Sequence, residues 1–432
     1  MSLRLASTLI AALTALIAIL GDWASSPLLS TLWSLPAALL LAGLAYESVF
    51  VARSRVQLRI KAPPRWYLGC KGLMLFEIRH AAQRTMTIQA ALSAPEEFAG
   101  EAAIRSLSVG PAEAAALELP ATPRRLGAYS WPPVRVRVAG PLGLAWWPRQ
   151  LHDACEVRVV PDLIAGGTKI AGIGAAGART GMTRGSGNEL LQLRPYQAGD
   201  SPRVIDWKAS ARARRLISRD YSEDHHLQII IMIDAGRASG LRAGELDRLG
   251  HYVNAAASLA QHAASLDDSV GVIIFADRPL LELAPARGTP AVLRIRNCLS
   301  AARVDKSESN PLQAALRVRS LARHRSLVVI LTDLDDATAA GQLAAAVRML
   351  QPKHLPFVAG LSSAAAQDLA HATADRWLDP YRALAAQEYL TGLERKVRAL
   401  HALGAPALIA KPDQIGAAVF DAYVRFRRQR RV

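Results

Sequence analysis

Two uncharged stretches at the front of this chain constrain its fold more than anything else in it. From Leu5 to Gly21 the sequence reads LASTLIAALTALIAILG, 17 residues without a charge. As a helix rising ~1.5 Å per residue it would be about 26 Å long, close to the thickness of a bilayer's hydrocarbon core. A second uncharged run goes from Trp23 to Tyr46, with Pro27 and Pro36 inside it and TLWSLPAALLLAGLAY as its best helical part. A cleaved signal peptide would not be followed so soon by another apolar run, so the pair predicts a transmembrane helical hairpin over residues 1–52. Arg4 precedes the first run, and Arg53, Arg55, Arg59, Lys61 and Arg65 follow the second, while the loop between holds Asp22 and no Lys or Arg. The positive-inside rule then places both termini, and all the chain after the hairpin, on the cytoplasmic side.

The rest has the composition of packed domains. Of 432 residues, 51% are hydrophobic and 20% charged, which excludes a disordered chain. The cysteines, Cys70, Cys155 and Cys298, are spaced neither as a zinc site nor as a redox pair and fit a reducing compartment. The net charge of +16 is partly concentrated in the tail, Arg425 to Arg431. On a membrane protein such a tail suits anionic lipid headgroups; the aromatic interleaving of an RNA-binding sheet is missing, and no nucleic acid is expected.

Residues 53–163 alternate apolar and polar positions in VQLRI (from Val56), LMLFEIRH (after Gly72), MTIQAALSAP (from Met86), VRVRVAGPLGLAWW (from Val134) and CEVRVVP (from Cys155). Period two with Pro and Gly punctuation predicts a small antiparallel β domain, a sandwich or barrel, with the arginines of VRVRV on the wet face. Residues 164–188 read as a Gly-rich linker. Gly172, Gly174 and Gly177 match GxGxxG, but no strand leads in and no acid follows near the ribose position.

From Leu227 onward fully apolar runs, LQIIIMID, SVGVIIFAD, SLVVILTDL and HLPFVAGL, alternate with helical spacing. That pattern predicts an α/β doubly wound domain on a parallel sheet, whose working edge lies at the strands' carboxyl ends. Asp234 and Asp333 both fall there. This half resembles the von Willebrand factor A domain, which holds a metal through Asp-x-Ser-x-Ser after its first strand, a Thr from a second loop and an Asp from a third. Here Asp234 is followed by Gly236 and Ala238 where the resemblance calls for hydroxyls, Asp333 matches the third-loop acid, and Ser309 stands for the Thr. The resemblance thus implies a degenerate metal-ion-dependent adhesion site. No cofactor is expected; were Mg²⁺ held, Asp234, Ser309 and Asp333 would hold it, and with the serines missing Arg237 would supply the charge in its place.

Just before that domain stands LRPYQAGDSPRVIDWKASAR, with Arg194, Tyr196, Gly199, Asp200, Arg203, Asp206, Trp207, Lys208, Ser210 and Arg212. The run resembles the signature of a bacterial family named only as domain of unknown function fifty-eight, and the stretch from Ala139 to Leu144 resembles the end of that family's β region. The resemblance covers nearly the whole chain, 189–432 being signature segment plus A-like domain with a basic tail. It implies location in the bacterial inner membrane and a MoxR-type AAA+ ATPase as partner. Read by their chemistry, Asp200 or Ser201 before Pro202 would start a short helix running through Trp207 to about Arg214. LISRDYS would be a strand pairing with LQIIIMID through the SEDHH turn. The segment is then either a clamp, with Arg194 paired to Asp200 or Asp206 and Trp207 in the core, or a docking surface.

No Walker sequence, GxSxG or nucleophile–base set is present. The expectation is a membrane-anchored, non-catalytic interaction scaffold that recruits the ATPase or its clients through Arg237, Asp333, Asp206 and Lys208. The alternative is a metal-assisted hydrolase or metal-dependent ligand-binding protein using Asp234 and Asp333.

Overall fold

The uncharged runs form helices α1 (Leu5–Trp23) and α2 (Ser34–Arg53) in the computed structural model. The structure describes residues 2–23, 31, 33–63, 65–111, 113–162, 184–185, 189–222, 226–335, 337–373 and 376–429; most of the 164–188 linker, including its GxGxxG glycines, lies outside them. By length and composition α2 can cross a membrane, and only 11% of its apolar window is buried. The apolar stretch of α1 is shorter, Ser7–Leu20. Both helices expose leucines such as Leu9, Leu13, Leu39 and Leu41 along their flanks.

The chain divides into two units, Met1–Val160 and Pro161–Val432, so the helices belong with the β-rich region rather than forming a domain of their own. Seven main strands build that region: β1 (Gln57–Lys61), β2 (Gly72–Arg79), β3 (Met86–Leu92), β4 (Ala103–Val109), β5 (Ala114–Pro123), β6 (Val134–Ala139) and β7 (Ala145–Leu151). One sheet runs β1-β2-β5 and another β7-β6-β3-β4, all neighbours antiparallel. A third, small sheet pairs Glu156–Val160 with Trp66–Tyr67 and Gly127–Ser130. In β6, Val134, Val136 and Val138 are buried while Arg135 and Arg137 are exposed. Trp66, Phe76, Phe98 and Trp131 pack ring against ring in the core.

The start of α1 and the end of α2 meet at the loop between β6 and β7. The amide of Arg4 donates to the Leu144 carbonyl (3.0 Å), as does the Ser7 hydroxyl (2.6 Å). Glu47, fully buried, accepts from the amides of Leu142 (3.0 Å), Leu144 (2.9 Å) and Ala145 (3.1 Å) and from the Trp147 indole (3.3 Å). A Cβ on Gly140 would overlap the Glu47 carboxylate, and Gly143 sits at φ +70°. The AGPLGL stretch is therefore a joint shaped around one carboxylate.

In the second unit β8 (Glu189–Pro195) pairs with β9 (Ile217–Ser222), which also takes Arg184–Gly185. The six-stranded sheet that follows contains β10 (Gln228–Asp234), β11 (Ser269–Phe275), β12 (Pro279–Ala286), β13 (Leu327–Leu331), β14 (Leu355–Leu361) and β15 (Ala407–Ala410). Their order is β12-β11-β10-β13-β14-β15, parallel except for the antiparallel edge β12. The expected pairing of LISRDYS with LQIIIMID does not form. Both edges of β10 are taken by parallel neighbours, so β9 pairs with β8 instead.

Helices cover both faces. Ile230, Met232, Val328 and Ile330 pack against α6 (Pro311–Leu321), α7 (Ala337–Leu350) and α9 (Asp379–Ala402). The alternate side chains face α4 (Arg248–Ser265), α5 (Gly288–Ser300) and α10 (Ile415–Arg428). Each fully buried Ile or Val contributes roughly 1.5–3 kcal/mol. The basic tail is partly structural: Arg427 of α10 pairs with buried Asp268 (2.6 Å), which also accepts from the Tyr423 hydroxyl (2.5 Å). Arg427 is thus not available to headgroups, and Arg430 and Arg431 lie outside the described residues.

Glu47→Ala should lower the stability of the first unit by about 2–4 kcal/mol, since it strands buried amide donors. Thermal unfolding of the detergent-solubilised full chain, followed by tryptophan fluorescence, reads this out.

Candidate functional site

Asp234 ends the central strand and is 2% exposed. Its Oδ1 accepts from the Gly236 amide (2.9 Å), and its Oδ2 from the hydroxyls of Ser309 (2.7 Å) and Thr332 (2.6 Å). Burial pushes its pKa above the ordinary carboxylate range, against the pull of these donors. Ser309 arrives on a loop that is laced to the strand ends: Arg237 N donates to Ser307 O (2.9 Å), Asp305 N to Ala235 O (2.7 Å) and Asn310 N to Ala276 O (2.7 Å). Thr332, directly after β13, was not among the expected site residues, although it adjoins Asp333 in sequence.

Asp333 points elsewhere. It is 6% exposed and ion-paired with Arg248, the first residue of α4. The same guanidinium reaches Asp335 (2.7 Å), which accepts from the Tyr389 hydroxyl (2.7 Å). That carboxylate and burial hold the Tyr389 phenol up at about 12. The Lys396 ammonium closes the cluster on the carbonyls of Leu334 (2.6 Å) and Asp335 (2.7 Å). Two expectations are corrected here. Asp333 is no exposed partner contact, and the cation beside it is Arg248 rather than Arg237, which pairs with Glu308 (2.6 Å) in solvent. Nothing in the local sequence around Arg248 marks it, because the pairing spans 85 residues and depends on where α4 begins.

Of the residues expected to hold magnesium, Asp234 and Ser309 lie together, while Asp333 is turned to Arg248. Mg²⁺ needs six oxygens in near-octahedral geometry. Gly236 and Ala238 offer no side-chain oxygen. A Cβ on Gly236 would already lie 3.1 Å from Ser309 N and 3.3 Å from Ser307 O, so the loop fills the space a serine there would need. Among the described residues no group of three or more His, Cys, Asp or Glu could hold a metal ion.

The signature segment splits into two sets. Arg194 pairs with Asp200 (2.6 Å), which also accepts from Gln197 N (3.0 Å) and Ser218 Oγ (3.2 Å). These donors, Arg194 first, hold the Asp200 pKa down at about 2. Tyr196 donates to the Asp200 carbonyl (3.1 Å), and Gly199 takes φ +110° in the turn between them. The expected helix start is corrected: Ser201 and Pro202 open only a single 3₁₀ turn, and α3 (Trp207–Ala213) is capped by Asp206, whose Oδ1 accepts from Ala209 N (3.0 Å). Asp206 Oδ2 takes Arg219 (3.0 Å), so this carboxylate is spent inside the segment. Ser210 accepts from Ile217 N (2.8 Å). Arg203, Lys208 and Arg212 face solvent, and so does Trp207, which is 67% exposed rather than in the core.

Residues 192–362 match the family described as protein of unknown function DUF58. The DUF58 match takes in the signature segment, Asp234, Arg248 and Asp333. No curated protein matches the chain. Among solved structures, the conserved hypothetical protein BatB from Bacteroides thetaiotaomicron is similar over 47% of this chain and 99% of its own, at 14% identity and a TM-score of 0.32. Proximal thread matrix protein 1 from the mussel byssus is similar over 46% of this chain and 45% of its own, at 11% identity and a TM-score of 0.30.

Arg248→Ala should destabilise the second unit by about 3–5 kcal/mol, because Asp333 is left buried without a counter-charge, whereas Trp207→Ala should fall within about 0.5 kcal/mol of wild type in denaturant titrations. The raised pKa of Asp234 favours its protonated form in the folded state. Its contribution is therefore fully present below the unfolded value, about 3.9, and is lost as pH rises through the folded one. Asp234→Asn should flatten that decline in stability-versus-pH curves. Millimolar Mg²⁺ should leave the melting temperature unchanged; a ligand held at 100 times its Kd would add about 2.7 kcal/mol.

Proposed function

We propose that this protein is a membrane-anchored, non-catalytic scaffold whose second unit recruits a MoxR-type AAA+ ATPase or its clients at the cytoplasmic face. The observation that carries the reading is the division of labour in the signature segment. Its acids are consumed internally, while Trp207 stands exposed among cations. Arg203, Lys208, Arg212, Arg214 and Arg215 are all exposed and make no ion pair among the described residues. An exposed Trp in a segment whose cations are also exposed suits a partner surface that is acidic and carries an apolar pocket. Lys208 is kept as a contact, and Arg237 contributes from the carboxyl-end rim of the sheet; Asp206 and Asp333 serve structure.

The strand order β12-β11-β10-β13-β14-β15, with helices on both faces, supports a doubly wound von Willebrand A-like domain whose metal position has been rebuilt as a closed polar cluster. The joint at the loop between β6 and β7, which holds the start of α1 and the end of α2 together, supports an antiparallel hairpin with two spans. In that arrangement both termini face the cytoplasm.

The test uses the full chain, in mild detergent, with the purified ATPase. Trp207→Ala combined with Lys208→Glu should weaken binding by about tenfold or more while the fold stays intact, as measured by biolayer interferometry. Unchanged binding by this variant would remove the docking surface. A reporter fused after Val432 should be active in the cytoplasm; activity only in the periplasm would invert the topology.

A further inference from the structure

Beside the joint that Glu47 holds lies a cavity of about 340 Å³, lined by Arg4, Phe50, Arg84, Thr85, Thr87 and the loop 139–143. Two arginines are among the lining residues and no acidic residue is. The nearby acid, Glu47, has both oxygens engaged by the amides of Leu142, Leu144 and Ala145 and the Trp147 indole and forms an ion pair with neither arginine. Arg4 lies over the Trp146 ring, 4.9 Å from its centroid, which fixes the direction of its side chain. Arg84 is exposed and makes no ion pair among the described residues. Two arginines without an ion-pair partner among the described residues at one concave surface favour an anion there, and guanidinium forks match phosphate oxygens in pairs. The hydroxyls of Thr85 and Thr87 are further donors at the same wall.

The position of the cavity says which phosphate it meets. Phe50 belongs to the last turn of α2, so the cavity lies at the end of the candidate span, where the headgroups of a surrounding bilayer would be. We propose that this cavity binds a phosphate-bearing anion, supplied by an anionic phospholipid whose headgroup enters between Arg4 and Arg84. The inference rests on reading α2 as a membrane span. It concerns a site distinct from the basic tail.

The experiment reconstitutes the full chain in nanodiscs of phosphatidylcholine containing a minor fraction of phosphatidylglycerol, then counts retained lipid by native mass spectrometry. Wild type should keep phosphatidylglycerol in preference to phosphatidylcholine. Arg84→Gln and the double variant Arg4→Gln/Arg84→Gln should retain it about tenfold less or weaker, which corresponds to the loss of one strong charged contact. Arg84→Gln removes no ion pair or hydrogen bond of the described residues, so it should melt as wild type does, and Arg425→Gln/Arg428→Gln should retain lipid as wild type does. A second arm adds inorganic phosphate to the protein in pure phosphatidylcholine nanodiscs. A melting shift there that vanishes in Arg84→Gln would assign the site to soluble phosphate and overturn the lipid as its source. A chain that fails to enter nanodiscs overturns the span reading and the site with it. Insertion without lipid preference, or equal retention by the variants, overturns the site alone.

Discussion

The second unit is organised around the carboxylate of Asp234. A carboxyl at the buried end of a central strand is costly unless its oxygens are satisfied. Three donors from three segments meet that demand: Gly236 just after the strand, Ser309 from the loop before α6, and Thr332 at the end of β13. The strand ends, the loop and the neighbouring strand are thereby drawn to one point. The backbone bonds from Asp305, Arg237 and Asn310 secure the same loop from the other side. Without this convergence the carboxyl rim of the sheet would be open.

Next to it the rim is closed by charge. Arg248 neutralises Asp333 and Asp335 together, and Tyr389 and Lys396 extend the network to α9. A guanidinium has a planar fork that serves two carboxylates at once, which a compact ammonium could not do as well. Such a pair contributes less by its attraction than it would cost to break, because either partner alone would be an uncompensated buried charge. The carboxyl-end rim beside Asp234 is thus filled by side chains of the chain itself.

The first unit follows the same physics on the other side of the chain. Glu47 sits on an apolar helix and takes four N–H donors, two from the loop after β6 and two from β7, so helix and β region are fastened through one acid. Gly140 is required by the closeness of that approach and Gly143 by its positive φ. Both signature-like stretches in this protein are thus explained by polar groups that must be satisfied at a junction. The side chains left over are Trp207 with the exposed cations of its segment, and Arg84.

Local pattern was enough for the kinds of elements and their order. Uncharged runs read as apolar helices, VRVRV as a half-buried strand, and LQIIIMID as a strand covered on both faces, because periodicity reports how many faces of an element meet the core. Pairing was not legible. The partner of β9, the antiparallel edge β12 and the short β15 depend on which strand edges remain vacant, and no single segment carries that information. The candidate site divided in the same way. Asp234 stands out as an acid at the end of an apolar run and Ser309 only through the resemblance, while Trp207 stayed open between core and surface because an aromatic in a short helix looks alike whether its face is covered or bare. Arg248 was invisible for a simpler reason. Its partners are 85 and 87 residues away, and only the packing of α4 against the sheet brings the charges together.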